Sequence, residues 1–470
     1  MKIEQIYTGC LAEAAYYIES KGEAVVIDPL RESAPYIERA EKDGAKIKYI
    51  LETHFHADFV SGHIDLAAKT GGTIVFGPTA QPNYDVHIAT DGEELKVGDL
   101  TLVVLHTPGH TMESTTFLLK DADGKDHAIF TGDTLFIGDV GRPDLAIKTD
   151  LTRADLAGYL YDSLRNKIMP LADEVIVYPG HGAGSACGKK MSKETFATLG
   201  HQKQFNYALR ADMTKEEFVE EVTTGLVDPP QYFPKNAVMN KMGYTSFDDV
   251  MAKGNVALDP AKFEEVANQV EALVLDTRAP QTFKNGFIPN SINIGIDGGF
   301  APWVGALIVD IKQPIILVAD EGRADEVIMR LARVGYDNIY GYLEGGMDAW
   351  KAAGKEVDEI ESITPEEFEA RENSSTLNIL DVRKKSEFDA EHLTEAKNFP
   401  LDFINSNMDE INKDTKYYLH CAGGYRSMIA SSILKARGFD NLVEVKGGFK
   451  AIVAETKMAR TEYVCPSTLL

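Results

Sequence analysis

The chain has 470 residues, of which 44% are hydrophobic and 26% charged, enough for about three globular domains. Its formal net charge of -25 argues against a nucleic-acid partner, because a phosphate backbone binds a basic face, and it disfavours an anionic membrane surface. The sequence has no apolar run of about 18 residues, no signal-peptide pattern and only four widely spaced cysteines, so we expect no membrane span and a reducing cytoplasm.

Residues 1–200 alternate apolar, strand-like runs with turn signals from Gly, Pro or Asp. A helix is predicted at 64–69, where Gly71 and Gly72 stop it. This pattern predicts an α/β domain whose functional side chains lie at strand ends. The clearest predicted strands are 24–27, 48–51, 73–76, 102–105 and 175–178.

Residues 201–257 are predicted to form a helical extension and a packed linker. The run 215–219 has a helical pattern, whereas Pro230 and Pro234 are expected to break regular structure.

The remainder of the chain contains an internal repeat with a period of about 100 residues, too long for a solenoid. It predicts two duplicated domains, at 258–355 and 356–470. Three pairs of anchors recur in the same order: LDTR at 275–278 and LDVR at 380–383, GYDN at 335–338 and GFDN at 438–441, EGG at 344–346 and KGG at 446–448.

A cluster of metal-capable side chains follows the predicted strand at 48–51. His54, His56 and Asp58 lie within five residues, and a lone histidine would be far weaker evidence of a metal site. Further candidates follow later strands in loops that contain Gly, which lets the backbone turn sharply. These candidates are His110, Asp133 and His181. Phe59 has no lone pair to offer, so a second metal beside Asp58 and His181 is hard to place.

Four motifs together resemble the metallo-β-lactamase superfamily: HxHxD at 54–58, HTPGHT at 106–111, TGDTLF at 131–136 and YPGH at 178–181. Within it, GDVGRPD at 138–144 resembles the persulfide dioxygenases. The resemblance implies an αββα sandwich with one Fe(II) per chain, held by His54, His110 and Asp133. His56, Asp58 and His181 then become supporting residues or part of a vacant second metal site.

Coordination chemistry leaves two metals open. Two histidines and one carboxylate leave free positions for O2 and a sulfur substrate on iron. His54, His56 and His110 would instead make a three-histidine zinc site with a bound hydroxide. The residues alone do not choose, and the resemblance favours iron over zinc.

A second reactive site is predicted near the C-terminus. Cys421 follows a strand-like run and precedes a helical pattern, so backbone N–H groups and the positive helix end favour a thiolate there. Arg426 adds positive charge for an anionic substrate. The remaining residues of this loop are Ala422, Gly423, Gly424, Tyr425 and Ser427.

This loop resembles the C-x-x-G-x-R loop of rhodanese sulfurtransferases, which implies that Cys421 carries sulfur. In the first copy, Asp320 falls about where Cys421 lies, so 258–355 is predicted to be an inactive spacer or docking domain. The expected architecture is therefore multi-domain α/β: an αββα sandwich followed by two rhodanese-like domains. Cys187 and Arg142 are candidates for guiding the substrate near the metal.

The resemblance implies a two-part enzyme that functions in sulfide detoxification. Iron and O2 would oxidise a low-molecular-weight persulfide of glutathione, coenzyme A or a similar thiol to thiol and sulfite. Cys421 would then transfer sulfane sulfur to sulfite, giving thiosulfate. Two alternatives are a zinc-dependent thioester hydrolase fused to a sulfurtransferase, and a sulfur-relay protein with a non-catalytic N-terminal domain. A homo-oligomer is left open.

Overall fold

A computed structural model describes residues 1–145 and 151–465. The chain divides into two compact units, the first comprising residues 1–249 with 332–335 and the second the rest of the described chain. The predicted extension after residue 200 thus belongs largely to the first unit. Residues 466–470, within the predicted last domain, lie outside the described residues. No helix in the described ranges is long and apolar enough to cross a bilayer.

The first unit contains two six-stranded sheets, each of which combines parallel and antiparallel pairs. The first sheet has the order β1 (Lys2–Thr8), β2 (Glu13–Ser20), β3 (Glu23–Ile27), β4 (Lys46–Glu52), β5 (Thr73–Phe76), β6 (His87–Ile88). The second sheet runs β12-β11-β10-β9-β8-β7, formed by β7 (Glu94–Val97), β8 (Leu100–His106), β9 (Thr115–Lys120), β10 (Asp126–Gly132), β11 (Ile176–Pro179), β12 (Ala197–Thr198).

Helices connect and follow the strands of the first unit. They are α1 (Ala34–Asp43), α2 (His63–Thr70), α3 (Arg153–Ser163), α4 (Leu199–Phe205), α5 (Lys215–Thr223), α6 (Phe233–Met242), with a π-helical turn at Leu164–Ile168 and a 3-10 turn at Tyr207–Leu209. Helix α7 (Phe247–Gly254) follows, and the chain passes from the first unit to the second after residue 249.

Strand β2 illustrates how the sequence builds the layers. Tyr16 and Ile18 point into the core between the two sheets, whereas Ala15 and Tyr17 pack under α1 and α2. Successive side chains in a strand point to opposite faces, so a continuously apolar strand fills two cores. The predicted αββα sandwich is confirmed.

Several local predictions can be compared directly with the structure. Strand β5 coincides with the predicted 73–76, and α2 ends at Gly71, whose φ of 71° favours glycine. Pro234 does not break regular structure as expected, because it occupies the first turn of α6, where the missing N–H needs no partner.

The second unit contains two five-stranded parallel sheets, and the two strand orders correspond one to one. The first runs β13-β17-β16-β14-β15, formed by β13 (Ala257–Leu258), β14 (Leu273–Asp276), β15 (Ile292–Asn293), β16 (Ile315–Val318), β17 (Ile339–Leu343). The second runs β18-β22-β21-β19-β20, formed by β18 (Glu361–Ile363), β19 (Asn378–Asp381), β20 (Ala396–Asn398), β21 (Tyr417–His420), β22 (Leu442–Val445).

Short helices connect the strands of both sheets. Those of the first copy are α8 (Pro260–Gln269), α9 (Pro280–Phe283), α10 (Phe300–Leu307), α11 (Ala324–Arg333), α12 (Gly346–Ala352). Those of the second copy are α13 (Pro365–Glu372), α14 (Lys385–Ala390), α15 (Ile404–Asn407), α16 (Tyr425–Ala436), α17 (Gly448–Glu455), with 3-10 turns at Leu401–Phe403 and Met408–Glu410.

The repeat extends to individual hydrogen bonds. Arg278 pairs with the buried Asp276 in the first copy, and Arg383 pairs in the same way with Asp381 in the second. The side-chain amide of Asn293 donates to the carbonyls of Asp276 and Arg278, and Asn398 does the same one copy later. The predicted duplication is therefore present in the structure.

Candidate metal centre and sulfur-transfer site

Three loops at the ends of β4, β8 and β10 bring His54, His110 and Asp133 together. All three are buried, and one ligand atom from each lies within 4.8 Å of the others. Oδ2 of Asp133 is 3.5 Å from Nε2 of His110 and 3.9 Å from Nε2 of His54. The structure thus assembles the predicted two-histidine, one-carboxylate set.

Hydrogen bonds on the outer side fix the tautomers of both histidines. The Thr53 hydroxyl donates to Asp28 at 2.8 Å, so it can only accept the proton from Nδ1 of His54 at 2.9 Å. Nδ1 of His110 donates to the Arg142 carbonyl at 2.9 Å. The Nε2 lone pairs of His54 and His110 are therefore both directed at Asp133, as metal ligation requires.

Burial tunes the protonation of the same three groups. It lowers the pKa of His54 and of His110 below the ordinary imidazole value, which keeps both rings neutral. Burial alone would raise the pKa of Asp133, but the charge and hydrogen bond of His181 outweigh it and lower that pKa. Neutral imidazoles and an ionised carboxylate are the forms that bind a metal.

The free oxygen of Asp133 supplies a test of whether a cation fits. Oδ1 accepts a hydrogen bond from His181, but Oδ2 is buried and has no hydrogen-bond partner among the described residues. An ionised oxygen without a partner is costly in a protein interior. A cation between Oδ2 and the two Nε2 atoms would remove that cost, so this donor set fits a metal.

His181 bridges two carboxylates. Its Nδ1 lies 2.8 Å from Asp133 Oδ1, and its Nε2 lies 2.7 Å from Asp58 Oδ2. Burial would lower the pKa of His181, but the two carboxylates raise it well above its ordinary value, which favours an imidazolium that donates at both ends. Both nitrogens of His181 are thus engaged in hydrogen bonds with carboxylates.

His56 does not join Asp58 and His181, although the sequence grouped them. Its Nε2 lies 3.1 Å from Asp28 and 3.6 Å from Glu52, in a separate buried cluster. The Phe59 ring packs on it with centroids 4.3 Å apart. The three-histidine arrangement considered for zinc is therefore not the grouping found in the described residues.

Cys187 lies beside Asp58 and His181, for which the sequence offered no third ligand because residue 59 is phenylalanine. Its sulfur groups with Asp58 and His181 within 4.8 Å, in a second set of ligand-capable atoms. The residue is buried, and that burial, with Asp58 and Asp133 nearby, raises the pKa of its thiol well above the usual range. The sequence predicted Cys187 to lie near the metal, and the structure brings its sulfur to Asp58 and His181.

Arg142 is not available to guide an anionic substrate. Its guanidinium binds Asp144 through Nε at 2.6 Å and Nη2 at 2.8 Å and also donates to the carbonyls of Ala186 and Val227. The contribution of Arg142 to the site is instead its own carbonyl, which orients His110.

The second site forms where β21 ends. Cys421 is buried, and the N–H of Gly424 donates to its sulfur at 3.1 Å. Gly424 has a φ of 97° and immediately precedes α16, so the loop turns sharply into a helix N-terminus. Partial positive charge there favours a sulfur anion.

The N-terminus of α17 donates backbone hydrogen bonds to this loop. The N–H of Phe449 donates to the Cys421 carbonyl at 2.6 Å, and the N–H of Lys450 donates to Ala422 at 3.1 Å. A Cβ on Gly448 would lie 2.3 Å from the Cys421 carbonyl oxygen. The second glycine of the repeated GG motif is therefore required for the close approach of helix and loop.

Two acidic residues near the loop were missed by sequence reasoning. Glu387 forms a two-pronged ion pair with Arg426, at 2.6 and 2.8 Å, which offsets the positive charge expected for an anionic substrate. Glu444 is buried and accepts hydrogen bonds from Ser427 at 3.2 Å and Ser362 at 2.6 Å. Neither glutamate belongs to a motif, and only the fold brings them to the loop.

Strand register corrects the alignment of the first copy by one residue. Asp276 pairs with Val318 in one sheet, and its counterpart Asp381 pairs with His420 in the other. Ala319 follows Val318 in the first copy, and Cys421 follows His420 in the second. Ala319 therefore occupies the cysteine position, and Asp320 comes one residue later. An alanine cannot carry sulfur either.

Comparisons with known proteins follow the same division of the chain. Residues 8–181 match the metallo-beta-lactamase superfamily, and residues 259–353 and 364–455 match the rhodanese-like domain. The cytoplasmic hydroxyacylglutathione hydrolase of Arabidopsis thaliana is 32% identical over 186 residues, which cover 38% of this chain and 67% of that protein. The mitochondrial persulfide dioxygenase of Homo sapiens is 35% identical over 162 residues, which cover 34% of this chain and 59% of that protein.

A solved structure extends the likeness beyond one domain. The crystal structure of a metallo-beta-lactamase from Staphylococcus aureus has a TM-score of 0.64 and 31% identity to this chain. The match covers 73% of this chain and 98% of the other.

Proposed function

Since this chain belongs to the metallo-beta-lactamase superfamily and carries two rhodanese-like domains in fusion with that fold, we propose that it is a persulfide dioxygenase coupled to a sulfurtransferase. The proposed substrates are a low-molecular-weight persulfide of glutathione, coenzyme A or a similar thiol, O2 and sulfite. The proposed cofactor is one Fe(II) per chain.

The observation that supports this proposal most directly is the convergence of His54 Nε2, His110 Nε2 and Asp133 Oδ2 in a buried site, while His56 Nε2 lies 3.1 Å from Asp28. Two imidazoles and one carboxylate on one side of a metal are the ligand set of non-haem Fe(II) oxygenases. Catalytic zinc sites use three histidines, or two histidines and one carboxylate. The donor set accommodates iron, and the two fused rhodanese-like domains support the sulfur substrate of the iron proposal.

Iron bound there would supply O2 activation, and the protein would supply the surroundings. Thr53 and Arg142 hold the two imidazoles as neutral rings with Nε2 facing inward. His181 keeps Asp133 ionised and turns its Oδ2 toward them. The overall reaction, RSSH + O2 + H2O giving RSH, HSO3⁻ and H⁺, oxidises the terminal sulfur and reduces O2.

The second half-reaction is assigned to Cys421. Its thiolate attacks the outer sulfur of a persulfide, the S–S bond breaks, and the thiol leaves with the proton. Sulfite then attacks the sulfur now held on Cys421, which gives thiosulfate and regenerates the thiolate. The Gly424 N–H, 3.1 Å from the sulfur, is placed to stabilise both anions.

The experiment is to purify the full chain without oxygen, measure its metal content and supply glutathione persulfide. We expect about one iron per chain, O2 uptake that matches persulfide loss, and thiosulfate as a product. Cys421→Ser should consume O2 as before but accumulate sulfite. His54→Ala should lose O2 uptake yet retain sulfur transfer. Zinc without O2 uptake would overturn the proposal, and unaltered activity of His54→Ala in every assay would instead support a sulfur-relay protein.

A zinc-dependent thioester hydrolase is the second candidate. Two observations favour it: the 32% identity to a hydroxyacylglutathione hydrolase, and the second ligand-capable group of Asp58, His181 and Cys187. It predicts hydrolysis of S-lactoylglutathione by the zinc-loaded chain. The iron-loaded and zinc-loaded chains, assayed side by side on both substrates, separate the two candidates.

A further inference from the structure

Tyr425, the fifth residue of the sulfur-transfer loop, reaches out of its own domain. Its hydroxyl donates to the carbonyl of Gly295, in the loop after β15 of the first rhodanese-like copy, at 2.7 Å. This loop, residues 295–298, is called the receiving loop below. Tyr425 is the first residue of α16, four positions after Cys421, so its anchorage bears directly on the sulfur site.

Two glycines in the receiving loop make room for the tyrosine ring. A Cβ on Gly298 would lie 2.2 Å from Cζ of Tyr425, and a Cβ on Gly295 would lie 3.3 Å from its Cε2. The first distance is far below any real carbon contact, so no residue larger than glycine fits at 298 without moving the ring. The Tyr425 ring therefore fits the receiving loop because that loop has glycine at positions 295 and 298.

Further hydrogen bonds hold α16 and the receiving loop against the first rhodanese-like copy. The N–H of Asn293 donates to the Ser432 hydroxyl of α16 at 2.9 Å, and both groups are buried. Arg323, in the first copy's counterpart of the cysteine loop, pairs with Asp297 of the receiving loop at 2.8 and 3.0 Å. The loop that lacks a sulfur nucleophile thus contacts the loop that receives Tyr425.

We propose that the inactive rhodanese-like domain positions the sulfur-transfer loop of the active domain by receiving Tyr425 on Gly295 and Gly298. This inference rests on the sulfurtransferase function proposed above and gives the first copy a definite task. Tyr425 is a positioning residue: its ring fixes the first turn of α16, and with it the Gly424 N–H that contacts the Cys421 sulfur.

The test uses the full chain with thiosulfate as sulfur donor and cyanide as acceptor. Gly298→Ala should lower kcat/KM for thiosulfate by about tenfold to a hundredfold, because displacement of the ring by an ångström misplaces the loop. Gly299→Ala is the matched control. That glycine is exposed, has an ordinary φ of -72°, and faces Trp303 and not Tyr425, so we expect a change within about twofold.

A double variant separates positioning from general damage. Tyr425→Ala should lose activity, but adding Gly298→Ala to it should cause no further loss, since no ring remains to be displaced. Tyr425→Phe keeps the ring and removes only the hydrogen bond, so its loss should be smaller. This variant creates no clash and remains informative even if Gly298→Ala fails to fold.

The outcomes are distinct. Equal activity of Gly298→Ala and Gly299→Ala, or full additivity of the Tyr425→Ala and Gly298→Ala losses, would overturn the positioning role. Unchanged activity of both Tyr425→Phe and Tyr425→Ala would do the same. An unaltered chain without sulfurtransferase activity would contradict the proposed function instead. Far-UV circular dichroism and denaturant unfolding check that each variant is folded, and O2 uptake on glutathione persulfide checks that the other site is intact.

Discussion

His181 binds one oxygen of Asp133, at 2.8 Å, and so determines which oxygen of that carboxylate remains for a cation. The other nitrogen of His181 is held by Asp58 at 2.7 Å. This bridge links Asp133 of the first ligand-capable group to Asp58 of the second. Phe59, which packs on His56 and offers no ligand atom, is consistent with the same arrangement.

The first prediction separates His54 from His56. His54→Ala removes one of the three converging ligand atoms, so bound iron and O2 uptake should both be lost. His56→Gln changes a ring that lies beside Asp28 and Glu52, so it should keep iron at close to the unaltered stoichiometry. Metal analysis of both proteins after anaerobic loading is the measurement. Loss of metal from both variants would indicate a three-histidine site.

The second prediction concerns the support of His54. Thr53→Val keeps the shape of the side chain but removes the hydroxyl that joins Asp28 to His54. We expect the affinity for Fe(II) to fall by about tenfold to a hundredfold. Competition with a chelator measures it. Thr101→Val is the control. The Thr101 hydroxyl lies in β8, accepts a hydrogen bond from Lys96 of β7 and is away from the metal ligands, so its loss should leave the affinity unchanged.

The third prediction compares matched glycines of the two copies. Gly448→Ala and Gly346→Ala impose the same left-handed strain, since φ is 60° and 57°, but only the first places a Cβ against the Cys421 carbonyl. Nothing lies within 4 Å of the position that a Cβ would take at Gly346. Gly448→Ala should therefore lower the free energy of unfolding by about 1–3 kcal/mol more than Gly346→Ala.

Sulfur transfer should follow the same contrast. Gly448→Ala displaces the loop of Cys421 and should lose activity, whereas Gly346→Ala should retain most of it. Denaturant unfolding and the thiosulfate assay on the two variants measure both effects. Equal destabilisation by the two substitutions would mean that the loop contact adds nothing.

The fourth prediction is a pH dependence at Glu444. Burial raises the pKa of this carboxyl above its ordinary value of 4.5, so the folded chain retains the proton to a higher pH than the unfolded chain does. The stability contributed by this group is present at low pH and is lost as pH rises from about 4.5 through the raised pKa. Glu444→Gln stays neutral and keeps an oxygen for Ser427 and Ser362.

The variant should therefore become more stable relative to the unaltered chain as pH rises. Melting temperatures of both proteins, measured at several pH values between about 4 and about 8, give the difference. A difference that does not change with pH would show that Glu444 is not held neutral by the fold.

Sequence reasoning went furthest where a motif stays within one loop. The strand before His54, the loop of Cys421 and the duplicated Asp–Arg pairs could all be read from local patterns, and the structure contains them. The partners that come from distant segments could not be read in this way. Glu387 lies 39 residues from Arg426, and His181 lies 123 residues from Asp58, and no local spacing encodes either contact.

The fate of His56 illustrates a second limit. Its spacing from His54 suits a shared metal, but in the structure its Nε2 lies beside the buried carboxylates of Asp28 and Glu52. The alignment of Asp320 with Cys421 failed for a related reason. The two copies differ in length between anchors, and strand pairing, which the sequence does not display, fixes the register at Ala319.

Ala319 also limits how many sulfur atoms the two rhodanese-like domains could bind, because it stands where the other copy has Cys421. If sulfur transfer proceeds as proposed, one cysteine in two homologous loops would let the pair hold a single sulfur atom at any moment. Loading by a donor and unloading by an acceptor would then alternate at the same thiol. Such a ping-pong order gives parallel lines in double-reciprocal plots and a burst limited to one equivalent of product per chain.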